Sequence, residues 1–217
     1  MPVWAGTLDG ITFAAEAGKI FLPVHEAIQE LRLPVQVDEK GHVTQLGAAR
    51  INPGSLRQLL DGTELITLEH LAAAGVSVAA AEADGTVKVG QIFRGFRVRV
   101  AAHRVEISLA KQVLQGWQGD RLVIQTHISS GKNGRTPAGE FRAGPFRSKM
   151  HFSSLYQNAP MPWSVQINGN IFIHGFSSVP SYPASHGCIR MPLTAGNPAK
   201  FFYEWVQSGS PVSVTKE

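Results

Sequence analysis

A single cysteine, Cys188, in 217 residues excludes an intrachain disulfide and any metal site built on several cysteines. No apolar run approaches the roughly 18 to 20 residues that a membrane-spanning helix requires. The opening Met-Pro-Val-Trp has no basic stretch followed by an apolar one, so no signal peptide is visible. Acidic residues are missing where they would be most useful: from Phe141 to Tyr203 there is no Asp or Glu. Any histidine working in that stretch must be oriented by something other than a neighbouring carboxylate. Lys and Arg never form a run and aromatic residues are not interleaved with them, which argues against nucleic acid as a partner. Gly131-Lys132 lies in a glycine-rich loop but lacks the spacing and the following helix of a phosphate cradle, so that loop reads as a long turn.

What is present is unevenly distributed. Residues 1–95 hold 7 Lys and Arg against 11 Asp and Glu, whereas residues 96–217 hold 13 against 5. The net charge of +4 therefore hides an acidic first half and a basic second half, the latter suited to an anionic partner. With 22 Gly and 13 Pro the chain leans toward turns and strands.

In the first ninety residues, Gly18–Pro23 reads as a short strand ended by proline. Apolar residues at 24, 27, 28 and 31 then fall on one helix face. Val35 and Val37 lead through Asp38-Glu39-Lys40-Gly41 into a returning strand at His42-Val43-Thr44. Similar signals recur about 44 residues later: Leu65-Ile66-Thr67, a helix over Leu68–Ala74, Gly75, Val76 and Val78, and Asp84-Gly85 before Thr86–Val89. Two readings stay open, a duplicated strand–helix–hairpin unit and two unrelated stretches of similar make-up. The doubled pattern resembles, loosely, the small N-terminal domain of copper amine oxidases that is also attached to bacterial cell-wall proteins. The resemblance implies a binding or spacing module without copper, and His25, His42 and His70 have no ligand spacing. The boundary is placed near Gly90–Gly95, giving domains over 1–92 and 93–217.

The second half alternates apolar and polar residues over Phe96–Val100 and again at Val105, Ile107 and Leu109. Gln112–Trp117 and Arg121–Ile128 follow around a Gly119-Asp120 turn. This regular spacing predicts an antiparallel sandwich or barrel. Asn168-Gly169 between Val165, Ile167 and Ile171, Ile173 is the strongest hairpin signal, and it delivers His174 at the end of its second strand. A helix is expected over 197–207 and a closing strand over 211–214. The fold class is α+β, a small N-terminal α/β repeat domain followed by a mainly β sandwich.

Chemistry concentrates at Ser185-His186-Gly187-Cys188-Ile189-Arg190, with Ile173-His174-Gly175 upstream. A thiol at its free pKa of about 8.5 is mostly protonated at neutral pH and needs a base or a cation beside it. His186, two residues from Cys188, shares its face but is poorly placed for a linear bond. His174 approaches from across the site and is the expected general base. With no local carboxylate its orienting acceptor should be a backbone carbonyl, hydroxyl or amide, and Gly175 is placed for the first of these. Arg142, Arg147, Lys149, Arg190 and Lys200 should add a positive field favouring the thiolate. The amides around Gly187 and Cys188 are candidates for an oxyanion hole, commonly worth about 3 to 4 kcal/mol per donor. A zinc site from Cys188, His186 and His174 lacks a fourth ligand and a usual spacing. A buried structural cysteine and a binding module without chemistry are the remaining alternatives.

His174-Gly175 followed by Ser185-His186-Gly187-Cys188-Ile189-Arg190-Met191, together with Thr136-Pro137-x-Gly139 and the Asn-Gly hairpin, resembles the signature of L,D-transpeptidases of the YkuD type over about 96–217. The resemblance implies a β-rich sandwich, no cofactor and an extracytoplasmic location, in the periplasm or cell wall. It also implies a cysteine acyl-enzyme formed on peptidoglycan stem peptides and open to a carbapenem adduct. By motif position Cys188 is the nucleophile, His174 the base, Gly175 its carbonyl orienter, and His186-Gly187 part of the oxyanion region. Arg190, Ser185, Tyr156 and Trp163 are the candidate substrate-binding residues, Arg190 alternatively being a structural ion-pair partner. An L,D-carboxypeptidase and a non-catalytic wall-binding protein are the competing functions.

Overall fold

The computed structural model describes residues 3–217, so Met1 and Pro2 of the opening tetrapeptide lie outside the described residues. The chain forms two compact units. One runs to Thr12 and resumes over Glu16–Ala101; the other combines Phe13–Ala15 with Ala102–Glu217.

In the first unit the strand Phe21–Pro23 passes directly into the helix Val24–Leu31, which buries Val24, Ala27 and Leu31 as its spacing predicts. The strand Glu64–Thr67 passes in the same way into the helix Leu68–Ala73, where the Thr67 hydroxyl caps the His70 N–H. These two strands pair antiparallel, with Leu22 opposite Ile66 and both fully buried. The hairpin turns also match. His42 O accepts from Asp38 N and Asp38 O from Gly41 N; Thr86 O accepts from Glu82 N and Glu82 O from Gly85 N. Equivalent bonds about 44 residues apart favour the duplicated unit. The two copies share one core that includes Leu22, Ala27, Leu46, Ile66, Leu71 and Val89.

Gly90–Gly95, where the pattern predicts a boundary, is instead the turn of a hairpin. The strand Arg94–Arg99 pairs back onto Val87–Gln91 and runs parallel to Val3–Asp9, and it seals Phe96 and Val98 into the first core. The division therefore falls between Ala101 and Ala102. Alternating apolar residues are common to strands of both units, so alternation alone could not assign this one.

The second unit contains a five-stranded sheet ordered Arg121–His127, Val113–Gln118, His103–Ser108, Pro211–Thr215, Gly139–Arg142. Its four-stranded sheet is ordered Arg147–Phe152, Pro160–Asn168, Ile171–Phe176, Ile189–Pro192. The sheets are mixed and not purely antiparallel: His103–Ser108 runs parallel to Pro211–Thr215, and Ile171–Phe176 parallel to Ile189–Pro192. Both exceptions have a long connection, a helix before the last strand and the loop after Phe176 before Ile189. A parallel partner needs such a crossover. The helix Pro198–Trp205 starts with Pro198 in its first turn and the Asn197 side chain accepting from Lys200 N, and it buries Phe201, Phe202 and Trp205. Ala14 N and Ala15 N donate to the carbonyls of Trp205 and Glu204 at that helix's C-terminal end, which helps explain why Phe13–Ala15 belongs to this unit.

Candidate active site

The Asn168-Gly169 turn fixes the hairpin whose second strand carries His174, and the parallel register then does the placing. Ile173 lies opposite Ile189 and His174 opposite Arg190. Cys188 lies in the bend immediately before the strand Ile189–Pro192, two residues ahead of Arg190, the partner of His174. All three border one cavity of about 110 Å³, closed also by Tyr156, Met161 and Phe176.

His174 is 4% exposed, and its Nδ1 lies 2.8 Å from Gly175 O. A carbonyl only accepts, so Nδ1 carries the proton and Nε2 keeps its lone pair. Burial pushes the imidazole pKa down to about 4 against the opposing pull of the Gly175 carbonyl, with smaller lowering contributions from Arg190 and His151. The ring is therefore neutral at physiological pH. A Cβ on Gly175 would sit 2.4 Å from Leu193 Cδ2, so a larger residue there would have to move the end of that leucine side chain.

Cys188 departs from expectation in one respect. Burial raises its pKa, and the hydrogen bond from the Phe172 backbone and the charge of Arg190 only partly offset this. The resting pair is thus a neutral thiol beside a neutral imidazole. The thiol contacts Asn170 O at 3.6 Å. The expected cluster of cations is also dispersed. Arg142 donates to Gly209 O and Arg147 to Val206 O, while Lys200 lies over Trp163. Of the five cations only Arg190 borders the cavity, its guanidinium 3.9 Å from the centre of the Phe176 ring.

The other predicted residues separate. His186 is exposed and stacks on Tyr156 at 4.4 Å, so these two form one wall of the cavity. Some desolvation, with Lys132, Arg135 and Arg190 nearby, lowers its pKa. Ser185 is buried and its hydroxyl ties the turn together, donating to Cys188 O at 2.5 Å and accepting from Gly187 N at 3.0 Å. That bond occupies the Gly187 amide, which is therefore not free for the oxyanion role expected of it. Trp163 does not border the cavity; it packs on Tyr203 and under Lys200. Among the described residues no group of three His, Cys, Asp or Glu side chains is arranged for a metal ion.

Sequence reasoning missed the loop over 129–136, read as a plain turn. Ser130 O accepts from Ala184 N and Ser185 N, Ser185 O accepts from Lys132 N, and Ser129 exchanges both backbone bonds with Arg190. Gln112, 2% exposed, clamps Ser130 from behind, accepting from its N–H and donating to its hydroxyl. The Gly131-x-x-x-x-Thr136 spacing was the available signal. A Cβ on Gly131 would meet Gly187 Cα and Thr136 N, both at 2.8 Å, with backbone on two sides and no flexible side chain to yield. Gly131→Ala is accordingly expected to lower stability by about 3 kcal/mol, the upper part of the overpacking range, measured by urea denaturation. A wild-type midpoint would refute the close approach.

Residues 102–214 match the family model described as the YkuD L,D-transpeptidase catalytic domain. Among solved structures, an L,D-transpeptidase from Xylanimonas cellulosilytica is 30% identical with a TM-score of 0.46, the match covering 54% of this chain and 61% of that one. The match to an L,D-transpeptidase from Stackebrandtia nassauensis, 21% identical with a TM-score of 0.47, covers 52% of this chain and 55% of that one. The chain thus spans little more than half the length of these relatives. L,D-transpeptidase 1 of Mycobacterium tuberculosis is 15% identical with a TM-score of 0.43, and the match covers 99% of both chains. No curated protein sequence matches the chain.

Proposed function

The chain belongs to the YkuD-type L,D-transpeptidase catalytic-domain family, and we propose that it cross-links or remodels peptidoglycan through an acyl-enzyme on Cys188. One observation carries the mechanism: a buried, neutral His174 with its Nδ1 proton committed to Gly175 O borders the same cavity as the only thiol of the chain.

In this reading His174 Nε2 takes the thiol proton as Cys188 Sγ attacks the carbonyl carbon of the stem peptide's third residue. A C–S bond forms and the carbonyl electron pair moves to oxygen. Collapse restores the carbonyl and breaks the C–N bond, and the departing amine takes the proton from His174. An amine from a second stem then attacks the thioester carbon and gives up a proton to His174. The new C–N bond forms, the C–S bond breaks, and the sulfur regains its proton. The resting thiol and neutral imidazole hold the proton where this sequence needs it. Because both partners are uncharged, burying them costs less than burying an ion pair. Arg190 and the Tyr156–His186 wall are the surfaces left for the stem. The basic second half suits an anionic wall polymer, and membership of the family supports an extracytoplasmic setting.

Incubation with a disaccharide-tetrapeptide, followed by mass spectrometry of the products, tests the proposal. Cross-linked dimers are the expected result. Free tripeptide alone would mean that water resolves the acyl-enzyme and the activity is an L,D-carboxypeptidase. Absence of turnover would leave a wall-binding protein and overturn the reading.

A further inference from the structure

The turn that carries Cys188 is held by one hydroxyl from outside it. Thr136 is 3% exposed, and its Oγ1 accepts from Gly131 N at 2.7 Å and donates to Gly187 O at 2.6 Å. Since the Gly131 N–H can only donate, the single hydroxyl proton is committed to Gly187 O. The chain has no cis peptide bond among the described residues, so Gly187 C=O and Cys188 N–H point in opposite directions across one planar unit. Drawing the carbonyl toward Thr136 therefore turns the Cys188 N–H away from it. Gly187 and Cys188 border the cavity and Thr136 does not. Two neighbouring groups of the turn are engaged by the Ser185 hydroxyl, Gly187 N–H and Cys188 C=O. The Cys188 N–H has no acceptor among the described residues.

We infer that Thr136 is a positioning residue whose hydroxyl, by pinning Gly187 C=O, aims the Cys188 N–H at the oxyanion formed during acyl transfer. Gly187, at φ +144°, supplies a peptide that must be pinned, because without a Cβ its orientation is otherwise weakly determined. The close Gly131–Gly187 approach is what brings Thr136 within reach. The inference rests on the acyl-enzyme reading above, and its test separates the two.

The comparison is between acylation of Cys188 by a carbapenem, which passes through an oxyanion, and its alkylation by iodoacetamide, which does not. Both are followed by intact mass on the full chain, whose only cysteine is Cys188. Thr136→Val is expected to slow acylation by about 10²-fold, the cost of a donor displaced by about 1 Å, and to leave alkylation within about twofold of wild type. Thr136→Ser, which keeps the hydroxyl, should acylate within about threefold of wild type. Should the valine variant not fold, Thr136→Ala removes the hydroxyl without adding bulk and carries the same comparison. Unchanged acylation in the hydroxyl-free variant, or parallel loss of both reactions, would overturn the inference. A wild-type protein that is alkylated but never acylated would overturn the acyl-enzyme reading itself.

Discussion

His174→Ala is expected to slow carbapenem acylation of Cys188 by about 10³-fold at pH 7, and Cys188→Ala to remove the adduct altogether. The first figure is the middle of the range for a general base that works in the rate-limiting transition state. It follows here from the resting state of the pair. Burial holds the thiol above its ordinary pKa, so at pH 7 it is almost wholly protonated and little thiolate exists to react unaided. His174 is neutral down to about pH 4, so wild-type acylation should persist into mild acid and fall only as the pH approaches that value. Without the imidazole, the rate should instead climb with pH toward the raised pKa of the thiol, and the two profiles should converge at high pH. His186→Ala supplies the contrast. That ring is exposed and stacked on Tyr156, so its loss should cost about tenfold or less and leave the pH profile unchanged. If His174→Ala retained a rate within tenfold of wild type, or if His186→Ala had the larger effect, the base would be misassigned.

Much of this site was legible because its determinants are local. The Asn168-Gly169 dipeptide dictates a tight turn and the alternation around it dictates two strands, and together they put His174 on the second of them, within Ile171–Phe176 and not at its end as the pattern predicts. The absence of Asp and Glu from that region left a backbone carbonyl as the natural orienter, and Gly175 O lies 2.8 Å from the ring. The helix Val24–Leu31 was equally local, its limits set by Pro23 and by an apolar spacing that matches its buried face.

What escaped was set by pairing between distant segments. Arg94–Arg99 has the pattern of a half-buried strand, but which core it serves depends on its bonds to Val3–Asp9 and Val87–Gln91. The parallel course of Ile189–Pro192 beside Ile171–Phe176 depends on how the intervening loop crosses, and spacing does not encode that. Trp163 is a large aromatic near the site in sequence, yet it packs on Tyr203 of the helix. The effect of the cations was also misjudged: five positive residues in one stretch of sequence place a single guanidinium at the cavity, and burial outweighs it at the thiol.

Acid should weaken the second unit before the first. His103 is 3% exposed with its ring stacked on Trp205 at 4.6 Å, and His174 is 4% exposed; burial lowers both pKa values to about 4. For His103 the hydrogen bond with Gln118 opposes the shift without overcoming it. An unfolded histidine titrates near 6.5, so between about pH 6.5 and 4 the unfolded chain binds protons that the folded unit refuses. Stability is thus whole above pH 6.5, declines as the pH falls through this window, and levels off below about 4. For His174 the loss is about 3 kcal/mol at most, and His103 adds a loss of the same sign. In the first unit, Asp38 and Asp84 have lowered pKa values, chiefly through amide hydrogen bonds from His42 and Thr86, so their contribution is lost only at lower pH. Three of the four tryptophans, Trp117, Trp163 and Trp205, lie in the second unit and report on it by fluorescence. Urea denaturation followed this way should show a midpoint that drops between pH 7 and pH 4.5. In His103→Gln, which removes one of the two titrating rings away from the cavity, the drop should be distinctly shallower. A midpoint independent of pH across that window, or a slope unchanged by His103→Gln, would mean that these rings do not resist protonation in the folded unit.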